Sequence, residues 1–293
     1  MDNATVHPVT PEIPADVQFE KQLGTLTAFV RVMRQAGLPI ETALQLPIDD
    51  PDMRERLVNY WLAGAPEINT PLPATLIVKY EPTPSQIRAR EIMGKNFLGI
   101  EEAIRHYGAA YTEEQLAALA EIRDEDGHII TEAELEECKN THLLVAGFPM
   151  TILDIRKKAP SKKPKKAFYS YKDAWYNTQA FATDELVGLC WHLIRKTAVD
   201  DSFSKAYQNQ TPLLGANDYV PRACNLVYAV MLYFMVTGER LFANCYVRTV
   251  TLDSDGYRVD VGNFDADGLD VSSLWGGNPV GSFGLSSARK SKK

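Results

Sequence analysis

Closely spaced glycines constrain the C-terminal end of the chain more than any other sequence feature. A glycine reaches positive φ without steric cost and weakens a helix, so such a stretch favours turns and short strands. Just upstream, Tyr257, Val259 and Val261 alternate with polar residues as in a half-buried strand. The sequence therefore predicts a loop-rich β structure here. The glycines are Gly262, Gly268, Gly276, Gly277 and Gly281.

The same region has an unusual composition. Residues 256–288 contain no Lys, Glu, Gln or Met, although these four types account for 51 of the 293 residues. At the average frequency of the chain, about six would be expected in this stretch. An asparagine codon AAC can mutate at its two adenines alone. Almost all residue types present in this stretch are encoded by codons that such mutations produce. Trp275 is the exception, and we interpret it as a fixed position.

This pattern resembles the variable region of proteins diversified by retroelements, in which adenine-specific mutagenic reverse transcription randomises codons on a C-type-lectin-like scaffold. The ending SFGLSSARK resembles the closing strand of that scaffold, and LVYAVMLYFMVTGERLF and ANCYVRTVTLDSDGYRVDVG are similar to bacterial proteins that share this C-terminal frame. The resemblance covers residues 170–293. It implies a hypervariable ligand-binding face at about 256–288 that recognises a protein or other macromolecule.

We expect short polar side chains and a few aromatic rings to form this face, because such side chains provide contact area at low entropic cost. The rings are expected as anchors, although at least one of Phe264 and Trp275 is also expected in the core. The scaffold is expected to depend on Val259, Val261, Leu269, Val271 and Leu285. The candidate ligand-binding residues are Asn263, Phe264, Asp265, Asp267, Asp270, Ser272, Ser273, Trp275, Asn278, Ser282 and Phe283.

An enzyme is the first alternative. The C-type-lectin-like class includes the formylglycine-generating enzymes, which depend on a late cysteine pair, but no cysteine follows Cys245. Asp253-x-Asp255-Gly resembles the start of a calcium loop, yet the twelfth position is Phe264 rather than Glu. Carboxylate-assisted hydrolysis stays open as an alternative, with five candidate aspartates: Asp253, Asp255, Asp265, Asp267 and Asp270. We predict a non-enzyme with no cofactor and no metal site.

Charge and cysteine spacing exclude several other classes. A net charge of −7 and a pI near 5.4 disfavour a generally basic nucleic-acid-binding surface. The four cysteines show neither zinc-ligand nor disulfide-framework spacing. The first residues lack the basic start and apolar run of a secretion signal, and the run at 226–236 is too short to cross a bilayer. We therefore expect a cytoplasmic protein without a membrane partner.

The chain divides into four predicted parts of an α+β protein. Residues 1–18 are expected to be a disordered arm, 19–156 a mostly helical N-terminal domain, and 157–166 a linker rich in lysine and proline. Residues 167–293 are expected to form a C-type-lectin-like domain with a small antiparallel sheet and a loop-rich face. The lysine run of the linker is the one place where we expect a weak anion or nucleic-acid contact. A second alternative is an oligomeric assembly protein whose N-terminal helices associate with further copies.

Local signals predict most elements after residue 80. Helices are expected at 84–93, 100–106, 112–122 and 131–138, several of them preceded by a capping threonine. A strand at 186–195, a long helix at 219–237 and a strand at 241–251 are expected to precede the glycine-rich end.

Overall fold

The computed structural model of the chain describes residues 80–161, 166–169 and 172–292. The predicted arm and residues 19–79 of the predicted helical N-terminal domain lie outside the described residues. The helices are α1 (Pro84–Met93), α2 (Ile100–Tyr107), α3 (Glu113–Ala118), α4 (Glu132–Cys138), α5 (Ile152–Lys158), α6 (Ala180–Thr183), α7 (Tyr207–Gln210) and α8 (Ala223–Thr237). The strands are β1 (Phe97–Leu98), β2 (His142–Ala146), β3 (Trp191–Arg195), β4 (Asp218–Tyr219), β5 (Tyr246–Leu252), β6 (Arg258–Asp265), β7 (Gly268–Leu274), β8 (Phe283–Leu285) and β9 (Ala288–Arg289).

Threonine caps explain where several helices begin. Thr83, Thr112, Thr131 and Thr151 each accept a hydrogen bond from the backbone N–H three residues later, and the side chain at that position bonds back to the threonine N–H. Such a capping box satisfies two amides that the first helical turn leaves unpaired. The predicted helices at 84–93, 100–106 and 131–138 are confirmed, whereas the one predicted at 112–122 ends at Ala118.

A five-stranded sheet joins the two halves of the chain. Its order is β1-β2-β3-β9-β4, with β1 parallel to β2 and the other pairs antiparallel. Strand β2 precedes the lysine-rich segment 157–166 and β3 follows it, yet Leu144 and Leu193 are register partners. The described residues belong to one compact unit. The structure thus differs from the predicted division at 157–166, because strands on either side of that segment pair in one sheet. In addition, Lys157 and Lys158 are the last residues of helix α5.

A four-stranded sheet carries the glycine-rich end of the chain. Its order is β7-β6-β5-β8, in which β5, β6 and β7 form an antiparallel meander and β8 pairs parallel to β5. Residues 275–282 connect β7 at one edge to β8 at the other. The chain then returns to the first sheet as β9. The α+β class is confirmed, although both sheets are mixed rather than purely antiparallel.

Helix α8 is the central element of the core. Its residues from Ala223 to Phe234 are all buried, as expected for a helix that is apolar around its whole circumference. It contacts α2, α5, β3, β5 and β6. The helix begins later than predicted because Tyr219 pairs with β9 as part of β4, and it ends at Gly238 with φ 77°. Within the described ranges, no helix has the length and apolarity needed to cross a membrane.

The inner side chains of the second sheet are buried, and those of β6 and β7 share a core cluster with α8. Val259 and Val261 are fully buried, Leu269 and Val271 are 1% exposed, and Leu285 is fully buried. These are the residues predicted to support the scaffold, so that prediction is confirmed. These residues alternate along β6 and β7, so one face of the sheet packs in the core and the opposite face is covered by loops.

Candidate functional site

The β6–β7 hairpin positions most of the predicted ligand-binding residues. Its turn is closed by Asp265, whose Oδ1 accepts a hydrogen bond of 2.7 Å from the Asp267 amide. Gly268 follows with φ 108°, and a Cβ there would lie 2.4 Å from the backbone of Phe168. Phe168 and Tyr169 run along the outer edge of β7, where the Tyr169 amide donates to the Leu269 carbonyl. The hairpin is therefore held in place along both edges.

A bulge in β6 turns Asn263 toward solvent. Gly262 and Asn263 have φ 158° and 45°, and the Asn263 amide donates a 2.8 Å hydrogen bond to the Cys245 carbonyl. A Cβ on Gly262 would lie 2.1 Å from that same oxygen, so the close approach requires glycine. Asparagine tolerates positive φ better than most residues. The bulge exposes the Asn263 side chain and directs its neighbour Phe264 inward.

Four side chains from the second sheet form a compact cluster, which we call the Tyr246 cluster: Tyr246, Asn263, Asp270 and Phe283. The Tyr246 hydroxyl donates a 2.7 Å hydrogen bond to Asp270 Oδ2. The rings of Tyr246 and Phe283 stack with centroids 4.8 Å apart and planes inclined by 12°. Strand register explains the contacts, because Tyr246 lies opposite Gly262 on one side and Phe283 on the other, and Asp270 lies opposite Gly262.

Burial and charge in the Tyr246 cluster favour a neutral Tyr246 phenol. Burial and the Asp270 carboxylate raise the pKa of Tyr246, while the Asn263 amide lowers it slightly. Among the described residues, Asp270 Oδ1 accepts no hydrogen bond from the protein. The cluster therefore offers an aromatic surface, an amide and a carboxylate oxygen to a ligand. Tyr246 was not predicted as a site residue, and its place next to Cys245 in an apolar strand gave no local signal of this role.

The predicted residues differ widely in exposure. Phe264 is fully buried, with its ring 4.8 Å from that of Phe234, which confirms that at least one of Phe264 and Trp275 lies in the core and leaves the Phe264 side chain without contact to solvent. Trp275, by contrast, is 62% exposed. The exposed members are Asn263, Asp265, Trp275, Asn278 and Ser282, and the half-buried ones are Asp267, Asp270, Ser272, Ser273 and Phe283.

The exposed residues fall into two groups rather than one patch. Trp275 follows the end of β7 that is remote from the hairpin turn, and a seven-residue strand is about 20 Å long. Its ring lies against Gly277, where a Cβ would be 2.6 Å away. From there the 275–282 segment crosses the outer face of the sheet, and the Ser282 carbonyl accepts a hydrogen bond of 2.9 Å from the Tyr246 amide. The Tyr246 cluster is thus the place where the hairpin and this segment meet.

A buried arginine fixes the crossing segment. Arg248 is fully buried and donates hydrogen bonds to the Lys205 carbonyl (2.8 Å), Gln210 Oε1 (2.9 Å) and the Asn278 carbonyl (2.6 Å). Its guanidinium also lies 5.6 Å from the centre of the Phe283 ring. The sequence did not identify this residue as buried, because an arginine within a strand is normally expected to point to solvent. The segment over it explains the burial.

Asp260 lies beside Arg248 on the next strand. The two residues are register partners on β5 and β6, and Asp260 is fully buried. Neither carboxylate oxygen has a hydrogen-bond partner among the described residues. Burial raises the pKa of Asp260 to about 8, although Arg248 opposes the shift. This carboxyl group is therefore largely protonated in the folded protein near neutral pH.

Catalytic alternatives receive little support from the geometry. In the part of the chain that the structure describes, no three His, Cys, Asp or Glu side chains are arranged to hold a metal ion. Cys190 Sγ lies 3.6 Å from His192 Nε2, a contact that resembles a nucleophile and its base. Burial raises the pKa of this thiol to about 12 and lowers that of His192. The thiol is thus protonated at neutral pH and is a weak nucleophile.

Searches against protein-family models, curated proteins and solved structures find no match for this chain. Its function is therefore inferred from the geometry of the second sheet and its loops.

Proposed function

We propose that the chain is a ligand-binding protein whose C-terminal face, within residues 256–288, recognises a protein or other macromolecular target. The Tyr246 cluster carries the proposal. It combines a stacked aromatic pair with an amide and a carboxylate, held on strands whose opposite face is anchored to helix α8. Rigid aromatic rings surrounded by short polar side chains are typical of protein-recognition surfaces.

The separation of inner and outer positions supports recognition by this face. Along residues 256–288, Val, Leu and Phe occupy the core positions, whereas the exposed positions of the hairpin and the 275–282 segment carry mainly Asn, Asp, Ser and Gly. Changes at the outer positions would alter contacts with a ligand and leave the packing against α8 in place. We propose that a diversity-generating retroelement makes such changes, on a C-type-lectin-like scaffold.

The order of elements supports that scaffold. A long helix is followed by an antiparallel meander, an irregular segment that crosses the outer face of the sheet, and a closing strand. Strand β9 lies between β3 and β4 and so brings the end of the chain back beside earlier strands. Such closure fixes the ends of the irregular segment, which lets its side chains vary without loss of the fold.

The charge of the face indicates the chemistry of its ligand. Asp265 and Asp270 place carboxylates at the hairpin, and Arg248, which lies beneath the crossing segment, is fully buried. Opposite charges across an interface speed association and suppress wrong partners. We therefore propose a target that presents lysine or arginine side chains to the Tyr246 cluster.

A comparative capture experiment tests the proposal. The full chain, the triple variant Asn263→Ala, Asp265→Ala, Asp270→Ala, and a control triple variant would be immobilised and exposed to lysate from the source cells. The control, Glu113→Ala, Glu114→Ala, Glu136→Ala, changes exposed residues on helices α3 and α4. We expect a partner that is retained by the wild type and the control and is lost with the face variant. Equal capture by all three proteins would contradict the proposal.

A further inference from the structure

The outer face of the second sheet is covered by the crossing segment 275–282 and by helix α7. Asp260 lies between two core-facing valines of β6, so its side chain points to this covered face. Its register partners are Arg248 on β5 and Ser272 on β7. Directly opposed residues of antiparallel strands have Cβ atoms about 5 Å apart. Asp260 and Arg248, both fully buried, are therefore close neighbours beneath the crossing segment.

Arg248 connects the sheet to the chain that covers it. Its Nη1 donates to the Lys205 carbonyl at 2.8 Å and to Gln210 Oε1 at 2.9 Å, and its Nη2 donates to the Asn278 carbonyl at 2.6 Å. The contact with residue 278 is made to the backbone, so a different side chain there would leave it in place. Arg248 Nε is buried and has no hydrogen-bond partner among the described residues. The guanidinium therefore keeps a donor that a carboxylate could use.

Gln210 links Arg248 to the Tyr246 cluster. It is fully buried, and its Nε2 donates a 3.0 Å hydrogen bond to the Phe283 carbonyl. The Phe283 ring lies 5.6 Å from the Arg248 guanidinium and stacks on Tyr246 with ring centroids 4.8 Å apart. A displacement of Arg248 would therefore act on the crossing segment and also on the aromatic pair.

Arg248 acts on the Asp260 carboxyl from the neighbouring strand. Burial raises the pKa of Asp260 to about 8, and Arg248 opposes this shift. Asp270 accepts the Tyr246 hydroxyl, and residues 275–282 contain no ionisable side chain. The Arg258 guanidinium lies 4.1 Å from the centre of the Tyr207 ring. The ionisable residues of these strands and of segment 205–210 are Tyr246, Arg248, Arg258, Asp265, Asp270, Lys205 and Tyr207.

We propose that the protonation state of Asp260 controls the crossing segment, and with it the Tyr246 cluster, through Arg248. While the carboxyl is neutral, Arg248 holds the Asn278 carbonyl and the segment lies fixed over the sheet. When Asp260 loses its proton to solvent, the buried carboxylate attracts the guanidinium, because an unpaired buried charge is costly and arginine binds carboxylate through two parallel hydrogen bonds. The hydrogen bond to Asn278 is then lost and the segment loosens.

The consequence for recognition rests on the proposed function, whereas the motion of the segment does not. A target that binds the ordered segment and the Tyr246 cluster should bind more weakly above the pH at which Asp260 ionises. Asp260 thus makes the C-terminal face sensitive to mildly alkaline pH.

Carbon-detected NMR of the full chain at pH 6 and pH 9 tests the proposal without a target. In the wild type, backbone order parameters of residues 275–282 should fall from about 0.85, which is typical of rigid backbone, to below about 0.6. The carbonyl carbon of Asn278 should shift with a midpoint near the pKa of Asp260, about 8, as it loses its hydrogen bond. Order parameters that stay the same at both pH values would overturn the proposal.

Two variants separate this control from a general effect of pH. Asp260→Asn cannot ionise, so its crossing segment should stay ordered at pH 9. The matched control, Asp184→Asn, removes one exposed carboxylate after helix α6 and should loosen at pH 9 like the wild type. Equal loosening in the wild type and in Asp260→Asn would overturn the proposal.

A third variant tests the role of Arg248. Arg248→Lys keeps the charge but lacks the planar fork that reaches several acceptors at once, so its segment should already be loose at pH 6. A segment as ordered as that of the wild type at pH 6 would overturn the proposal. If this variant does not fold, the comparison with Asp260→Asn decides.

A capture experiment at both pH values then tests the consequence for recognition. Relative to Asp260→Asn, the wild type should retain less of its target at pH 9 than at pH 6. Equal retention would overturn the control of recognition. Failure to capture any target at pH 6 would count against the proposed function alone, because the order parameters are measured on the chain by itself.

Discussion

Arg248 and Asp260 lie opposite each other on strands β5 and β6, both fully buried, and yet the arginine donates its hydrogen bonds elsewhere. Its partners are the backbone of Lys205 and Asn278 and the side chain of Gln210. Asp260 is left without a hydrogen bond among the described residues, and burial raises its pKa to about 8. The arginine thus holds the loops over the sheet, and the carboxyl is stable there mainly in its protonated form.

This arrangement predicts a pH-dependent stability. The pKa of Asp260 is higher in the folded protein than its ordinary value of 3.8, so between that value and about 8 the folded state binds more protons than the unfolded state. The free energy of unfolding should therefore fall as the pH rises through this range, by at most about 1.4 kcal/mol per pH unit, and level off above it. Urea unfolding of the wild type and of Asp260→Asn between pH 5 and 9 measures this. The variant should lose this dependence, and identical pH profiles would contradict the shift.

Two aromatic residues of the C-terminal stretch 256–288 should respond very differently to truncation. Phe264 is fully buried against Phe234, whereas Trp275 is 62% exposed. Phe264→Ala should lower the free energy of unfolding by about 3–5 kcal/mol, because it removes core contacts and leaves a cavity. Trp275→Ala should cost about 1 kcal/mol or less. Chemical denaturation measures both, and similar losses would show that the assignment of Phe264 to the core and Trp275 to the surface is wrong.

The backbone at residue 263 should limit which residues are tolerated there. Asn263 has φ 45°, which asparagine and glycine adopt more easily than β-branched residues. Asn263→Gly should change stability little, and Asn263→Val should cost about 1–3 kcal/mol. Melting temperatures of the two variants test this. A valine variant as stable as the wild type would indicate that the bulge relaxes. If the gene is diversified, the same constraint should enrich Asn, Asp and Gly at this position.

The turn of the β6–β7 hairpin requires glycine at position 268 both for its positive φ and for its close contact with Phe168. Gly256, in the turn between β5 and β6, has a positive φ without such a contact and serves as a comparison. Gly268 has φ 108°, and a Cβ there would lie 2.4 Å from the Phe168 backbone. Gly256 has φ 82°, but a Cβ there would meet nothing within 4 Å. Gly256→Ala should therefore cost about 1–2 kcal/mol from backbone strain alone, and Gly268→Ala should cost clearly more. Hydrogen exchange at the Tyr169 amide should also speed up in the second variant. Equal losses of stability would mean that the contact with Phe168 is unimportant.

Local sequence signals predicted much of the fold. Threonine caps marked the starts of helices, and alternating valines marked the inner face of β6, because both depend on residues close together in the sequence. The predicted division at 157–166 rested on composition alone. A lysine-rich segment has the composition of a linker, but only the pairing of β2 with β3 reveals that strands before and after it share one sheet.

The candidate site was predicted only in part. Composition located the stretch that contains Asn263, Asp270 and Phe283, but composition cannot tell which side chains a bulge turns inward. The sequence therefore could not decide whether Phe264 or Trp275 lies in the core. Tyr246 and Arg248 were missed because their roles arise from cross-strand register and from the segment that covers the sheet, which are set by residues distant in sequence.

The most direct test of diversification is deep sequencing of this gene and its flanking DNA from a growing population of source cells. We expect substitutions to cluster at codons 260–283, to occur at adenine positions and to fall mainly on exposed residues such as Asp265, Asn278 and Ser282. Codons for Val261, Phe264 and Val271 should stay unchanged. A near-copy of the stretch should lie beside a reverse transcriptase gene. An invariant stretch with no near-copy would contradict diversification and leave a face of fixed specificity.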